Sequence, residues 1–412
     1  MSKSIPITKL MVWQAYQEVR ANGGSSGMDG IRIKDFEQDL SNNLYKLWNR
    51  LSSGSYFPSP VKEVRIPKGD GKTRSLGIPT IADRTAQTVV KNYLEPRLEK
   101  VFSKHSYGYR PGKSAHEALA EVRENCNAYN WAIDLDIARF FDTIDHELLR
   151  KAINLHVPQK WVKLYVDRWL EAEVLTVKQG KIGKEGKGTP QGGVISPLLA
   201  NLFLHYVIDK WLEKYIPEVK YTRYADDMVI HCKSGNQAKT VLRQVIQRFR
   251  QCKLEINESK THLVYCKDDF RKGSAPIVKF DFLGYTFKPR TTKISTTQLG
   301  LRFDLGISKK ARMKITKELR GSKYLMRTNL TLAQVAQYLN SKITGWINYY
   351  GKYRKYLLKT IYWKINQRIL KWIRVKYKRL KNSVKKAVKM LKRIYQTTPH
   401  LFAHWSAGFR FT

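Results

Sequence analysis

The stretch YTRYADDMVI, Tyr221–Ile230, carries two adjacent aspartates, Asp226 and Asp227, between two short runs that read as β-strands. A tight turn there makes a hairpin and puts both carboxylates at its tip. Two like charges side by side repel, so the pair needs a cation or a strong reason to stay together.

A second acidic segment supplies the partner. In DLDIARFFD, Asp134 and Asp136 end another predicted strand that begins at Trp131, and their spacing of two places both on one face. If the two strands are neighbours, one of these carboxylates meets Asp226. Three carboxylates converging at ~4 Å need cations to stay ionised, and oxygen-only ligation suits Mg²⁺. Two such ions stabilise the attacking and leaving oxygens of phosphoryl transfer.

The whole-chain charge names the polymer involved. The 412 residues hold 76 Lys and Arg against 34 Asp and Glu, a net charge of +42. So large an excess calls for a polyanion, and 12% aromatic residues suit stacking on exposed bases better than an acidic membrane. After Glu318 the last 94 positions contain 22 Lys and Arg and no acid. That region repeats Leu, Ile, Val, Trp and Tyr at helical spacing, so it reads as folded helices with a basic, aromatic-studded face. No run of about 18 apolar residues is present, so no membrane helix is expected. The N-terminus lacks a signal-peptide pattern, and the four separated cysteines read as reduced thiols, which together point to the cytoplasm.

Between these landmarks the chain mixes elements without a regular βαβ repeat. Residues 1–50 read as helical around the turn-rich NGGSSGMDG, and VKEVRIPKGDGKTRSLGIP reads as a basic β-hairpin. A helix follows from IADR. PQGGVISP is a Gly-rich turn in which Ser196 is placed as an N-cap with Pro197 as the first helical residue. A further helix is expected from about Ala238 to Lys253, with short strands at THLVYC and FDFLGYTF. The fold class is α+β, with an antiparallel sheet and an all-helical C-terminal part.

YADD, DIARFF, PQGGVISPLLANLFL and FLGYTF, in this order, resemble the motifs of reverse transcriptases. SGMDGI, RIPKGDGKTRSLGIPTIADR, SYGYRPGKSAHEAL and LNSKITGWINYY narrow the resemblance to proteins encoded within group II introns. It implies a right-hand polymerase: N-terminal extension and fingers over 1–125, palm over 126–305, helical thumb or maturase domain over 306–412. It also implies that Asp136, Asp226 and Asp227 are the catalytic carboxylates, with the Ile137 carbonyl offered to a metal and Asp134 structural. Phe141 would be the gate against a ribose 2′-hydroxyl, with Phe140 as its rival. Pro190, Gln191 and Gly192 would line the nucleotide pocket, and Lys260 would stand near the leaving pyrophosphate. Of the hairpin cations, Lys62 and Arg74 would take the triphosphate, whereas Arg65, Lys68 and Lys72 face template phosphates or solvent. Tyr109 and Arg110 would touch template, and Leu283 and Gly284 would lie in the primer grip. Lys352, Arg354 and Lys355 would touch RNA, while Trp346, Tyr349 and Tyr350 pack in the core.

The resemblance implies two Mg²⁺ ions, with Mn²⁺ as a substitute. Its expected partners are RNA template, DNA primer, dNTPs, structured intron RNA and target DNA, with monomer and homodimer both open. The sequence ends without a Cys cluster, so the endonuclease-lacking type is expected. Three alternatives stay open: a reverse transcriptase repurposed for defence or repair, a splicing maturase without polymerase activity, and an RNA-templated RNA polymerase.

Overall fold

The computed structural model describes residues 5–67, 73–176, 180–182, 186–293 and 298–409. The chain forms two units, one of residues 1–118 with 132–263, the other of residues 119–131 with 264–412.

The first unit opens with helices Lys9–Asn22, Ile33–Glu37 and Leu40–Ser53. The Thr8 hydroxyl caps the first of them by accepting from the Met11 amide. Tyr16 stacks on Phe36 at 5.6 Å, and both bury against Ile81. The expected hairpin is β1 (Val61–Pro67) and β2 (Thr73–Ile78), paired from Lys62–Ile78 to Pro67–Thr73. Its register puts Lys62, Val64, Ile66, Arg74, Leu76 and Ile78 on one face and Arg65, Glu63 and Ser75 on the other. Lys68 and Lys72, at the tip, lie outside the described residues.

Strand β3 (Trp131–Leu135) comes next, and β4 (Val174–Thr176) then adds parallel to β1, followed by β5 (Gly180–Ile182). This sheet therefore has the order β2-β1-β4-β5. The palm sheet has the order β6-β7-β3-β8, from β6 (Lys220–Tyr224), β7 (Asp227–Cys232), β3 and β8 (His262–Tyr265). Neighbouring β7 and β3 are the strands whose ends carry the acidic motifs. Helix Ile81–Leu98 is capped by Thr80 and buries most of its first ten residues, among them Asp83, which accepts from Tyr56, Ser59 and Thr80.

Two expected boundaries shift. Ile195 occupies the N-cap of helix Ser196–Leu204, so Ser196 is its first residue. The Ser196 hydroxyl accepts from Thr189 at 2.9 Å instead of capping. The helix expected from Ala238 begins at Gly235, because Ser234 accepts from the Gln237 amide.

The second unit contains β9 (Phe280–Phe282), β10 (Tyr285–Lys293) and β11 (Leu299–Ile307), in the order β11-β10-β9. The long β10–β11 hairpin is unanticipated: β10 mixes Lys, Arg, Thr and Pro beyond Phe287, although β11 alternates Leu299, Leu301, Phe303, Leu305 and Ile307 with Gly, Arg and Asp. Helices Lys309–Arg320, Leu332–Tyr350, Lys359–Lys376 and Val384–Thr397 then bury Ile315, Val335, Leu339, Ile365, Ile369 and Trp372 in one core. Inside it Asn366 accepts from His404 Nε2 at 2.9 Å and from Trp405 Nε1 at 3.0 Å. Among the described residues no helix is long and apolar enough to cross a membrane.

His404 gives a pH dependence of known sign. It is fully buried, and burial pulls its pKa down from 6.5 to about 3. Below pH 6.5 the unfolded chain binds a proton there that the folded chain refuses, so the stabilisation is complete above 6.5 and is lost as pH falls toward 3. The expected slope from this residue is about 1.4 kcal/mol per pH unit. Urea unfolding between pH 6.5 and 4.5 should show a shallower pH dependence in His404→Gln than in the parent. Parallel dependences would exclude a neutral buried His404.

Candidate active site

Tyr224 pairs with Asp227, which leaves Ala225 and Asp226 as a two-residue hairpin turn. Ala225 has φ 57 while Asp226 does not share that sign, the pattern of a type II′ turn that glycine usually makes. An alanine there carries strain of about 1–2 kcal/mol. The backbone of Gly108, in SYGYRPG, packs against this turn so closely that a Cβ would lie 2.4 Å from the Ala225 nitrogen. The same segment pairs with β6 through Tyr107 N to Arg223 O and Arg223 N to His105 O.

Asp136 follows the end of β3. Its carbonyl accepts from Asn257 at 2.8 Å, and Ile137 bridges to Ile256. The chain then turns sharply at Arg139, φ 45, into the short helix Phe140–Thr143.

The three carboxylates meet electrostatically. Burial raises the Asp226 pKa, and the Asp136 charge raises it further, against the pull of Arg74 and Arg223. Asp227 is pushed up to about 6, first by desolvation and then by Asp226 and Asp136, with Lys260 pulling it down. Its side chain still reaches solvent, so crowding by protein around it, not sealing from water, is the desolvation at work. The Lys260 ammonium lies 3.2 Å and 3.4 Å from the two Asp136 oxygens. Lys260 thus sits on a carboxylate of the site, where it partly neutralises the cluster. Among the described residues no three His, Cys, Asp or Glu side chains close on one point as a ready metal cage. The donors available, three mutually repelling carboxylates and the Ile137 carbonyl, are all oxygen, the set that a hard divalent cation satisfies.

The Pro190–Gly192 loop is held against the β1–β2 hairpin. The Gly77 amide donates to the Gln191 carbonyl at 2.6 Å, and Arg74 Nε donates to Gln191 Oε1 at 2.6 Å. Gly192 has φ 116, and a Cβ there would fall 2.4 Å from the Gly77 oxygen, so only glycine fits. From the other side Gln87 Oε1 accepts from the Val194 amide at 2.7 Å and the Ile195 amide at 3.4 Å. Lys62 is exposed on the same hairpin face as Arg74, whereas Arg65 faces away beside Glu63. Phe140 and Phe141 are both buried, with ring centroids 5.4 Å apart, and the Phe141 carbonyl accepts from Thr189. Gly77 and Gly108 lie in stretches that carry the family resemblance, but their roles, like that of Gln87, were not read from the sequence, because a backbone approach or an internal amide contact has no pattern of its own.

Other expected contacts divide between outward and inward side chains. Tyr109 is 57% exposed, and its phenol pKa is raised by desolvation and then by the Asp226 charge, against the pull of Arg74, so it lies near the carboxylates. Arg110 turns inward, paired with Glu99 at 2.9 Å and donating to the Ser103 and Ser106 carbonyls at 2.6 Å. It braces its own loop and is not presented to a template.

In the second unit Leu283 and Gly284 have φ 48 and 78 and form the β9–β10 turn, the left-handed pair of a type I′ hairpin. Tyr349 donates to the Leu283 carbonyl, and Tyr350 packs on Gly284. Trp346 and Tyr350 pack against the helical core. Arg354 also turns inward, onto Asp304 at 2.8 Å and the Thr291 carbonyl at 3.1 Å, while Lys352 and Lys355 are exposed.

Comparison with known proteins matches this layout. The family described as reverse transcriptase (RNA-dependent DNA polymerase) matches residues 66–287, and the group II intron, maturase-specific domain matches residues 309–393. Protein YkfC of Escherichia coli (strain K12) is 31% identical over 59% of this chain and 73% of its own length. Group II intron-encoded protein LtrA of Lactococcus lactis subsp. cremoris is 27% identical over 82% of this chain and 68% of its own. Nuclear intron maturase 4, mitochondrial, of Arabidopsis thaliana is 29% identical over 37% of this chain and 19% of its own.

Proposed function

Because this chain belongs to the reverse transcriptase family, in its group II intron-encoded branch with a maturase domain, we propose that it copies RNA into cDNA at the Asp136–Asp226–Asp227 cluster. The chain is an RNA-directed DNA polymerase and intron maturase by family; the residues, ions and substrates below are our assignment. The observation that carries it is that Asp136, Asp226 and Asp227 stand at the ends of the adjacent strands β3 and β7, near enough for the Asp136 charge to act on both Asp226 and Asp227.

Reverse transcriptases depend on divalent metal. Here Asp136, Asp226, Asp227 and the Ile137 carbonyl would hold two Mg²⁺, with Mn²⁺ as a substitute. When bound, the ions activate the primer 3′-hydroxyl and neutralise charge on the leaving pyrophosphate. Lys62 and Arg74, on one hairpin face, meet the triphosphate of the dNTP, and Gln191 orients Arg74 for it. Pro190, Gln191 and Gly192 floor the nucleotide pocket, and Lys260 exchanges Asp136 for pyrophosphate oxygens. Tyr109 meets the templating side of the site, and Arg65, Lys352 and Lys355 take backbone phosphates. We assign residues 1–125 to the N-terminal extension and fingers, 126–305 to the palm and 306–412 to the thumb. Structured intron RNA and target DNA are the further partners, and the cytoplasm is the compartment.

Sugar selection tests the pocket. If the Phe141 ring excludes a 2′-hydroxyl by contact, Phe141→Ala should raise ribonucleotide relative to deoxyribonucleotide incorporation by about 10–200-fold. Single-nucleotide extension with rNTP and dNTP measures the ratio. An unchanged ratio, with Phe140→Ala relaxed instead, moves the gate to Phe140. No change in either variant removes both.

A further inference from the structure

Under the catalytic turn lies a buried ionic cluster that no step above uses. Arg223, in β6 next to Tyr224, is 1% exposed, and Asp209 is 0% exposed. Arg223 Nε donates to Asp209 Oδ1 at 2.8 Å and Nη2 to Oδ2 at 2.5 Å, a bidentate fork. Nη1 points the other way, to Asn201 Oδ1 at 2.9 Å and to the Ala225 carbonyl at 3.0 Å. Asn201 continues the chain of bonds by donating to the Gly108 carbonyl at 2.7 Å. One guanidinium therefore holds the strained residue of the Asp226 turn, and through Asn201 it holds the glycine packed on that turn.

We propose that Arg223 is a positioning residue for DNA synthesis, its guanidinium fixed by Asp209 and Asn201 so that the Ala225 carbonyl, and with it Asp226 and Asp227, stand in one place. The proposal rests on the assignment of these two aspartates to the metal-binding set.

Three features favour positioning over plain stability. A buried ion pair contributes little net stability and is often replaced by apolar residues without loss, so its energetic role is weak. The turn it touches is one the sequence does not favour by itself, because Ala225 occupies a glycine-like conformation and needs an external hold. The chain also departs from a regular helix to supply the partner. Helix Ser196–Leu204 passes through a π turn, His205–Asp209, in which the Lys210 amide bonds back to the His205 carbonyl, and Asp209 closes that turn. The extra residue re-phases the helix, which brings Asn201 and Asp209 to the same guanidinium.

The test uses the full chain with Arg223→Met/Asp209→Leu, which removes both buried charges, and Arg223→Lys, which keeps a charge but not the fork. Five quantities are read: thermal midpoint, affinity for an RNA–DNA duplex, Mn²⁺ affinity by electron paramagnetic resonance without nucleotide, the dNTP KM, and the single-turnover rate of dNTP incorporation. The expected result is a folded double variant with duplex affinity and dNTP KM near the parent's. Its Mn²⁺ binding should be weakened, and its single-turnover kcat should fall by about 10²-fold, the scale of a misplaced reacting group. Arg223→Lys should move the same way, and it decides the matter on the same readouts if the double variant does not fold. A folded variant with parental Mn²⁺ affinity and parental kcat overturns the proposal, as does a rate loss matched by the unfolded fraction alone. Asp226→Asn runs alongside: if it still synthesises DNA, the underlying assignment fails; if it is inactive while Arg223→Lys is parental, only the positioning role fails.

Discussion

Asp226→Asn should fold, bind RNA as the parent does, and fail to extend a primer. Asparagine keeps the shape of the side chain at a half-buried turn and removes one of three mutually repelling charges. The folded state therefore loses no packing and gains relief from repulsion. What disappears is one anionic oxygen ligand in a site whose work is charge neutralisation. A loss of several kcal/mol of transition-state stabilisation corresponds to about 10³-fold or more in rate. Primer extension on an RNA template with Mg²⁺, beside a filter-binding titration of the same RNA, separates the two effects. Efficient extension by Asp226→Asn would remove the turn from the chemistry. Loss of RNA binding together with extension would make the substitution structural.

RNA affinity should collapse with added salt more steeply than that of an ordinary enzyme. The last 94 residues carry 22 Lys and Arg and no acid, and their apolar positions are taken up by the helical core. The cations are left on the surface, where they neutralise phosphates and release counterions. If 6–10 phosphates are engaged, affinity should drop about 10³–10⁵-fold between 50 and 200 mM salt. Lys352→Ala/Lys355→Ala should lower the log–log slope by about 0.7–0.9 for each phosphate that is no longer neutralised. Arg354→Ala should instead lower the thermal midpoint, because Arg354 ties Asp304 within the second unit. Equal slopes in the parent and the double lysine variant would show that these two lysines are only solvated.

The two experiments draw on different kinds of information. The Asp226 turn was legible because alternating strands around a double acid leave one arrangement, and Asp136 lay two residues from Asp134 on a second strand. Lys62 and Arg74 were singled out by the family resemblance, and the register of the folded hairpin puts them on one face. The helical C-terminal part could be read from periodicity alone, since a basic segment that repeats Leu, Ile and Trp at helical spacing has a core to bury.

Inward and outward arginines could not be read. Arg110 and Arg354 stand in motifs rich in Tyr and Gly and look like RNA contacts, yet each is taken by an acid, Glu99 and Asp304. Arg354 and Asp304 are 50 residues apart in sequence, and only folding sets the distance between them. Arg223 left only a trace, a cation inside a predicted strand, and its pairing with Asp209 was set by folding alone.

Whereas the choice of Asp136 over Asp134 and the Ile137 carbonyl came from the family resemblance, residue type and local spacing were enough to find the acidic motifs, the polymer the charge attracts and most strand and helix segments. Local spacing suffices there because backbone geometry converts it directly into faces and turns. How the Gly77 backbone clasps Gln191, how Gly108 seats the Ala225 turn, and which guanidiniums turn inside came from the folded chain alone. The Gly108–Asn201 bond spans 93 positions and the Arg74–Gln191 bond spans 117. Such approaches depend on a missing Cβ or on two distant backbones meeting, and no pattern along the chain encodes either.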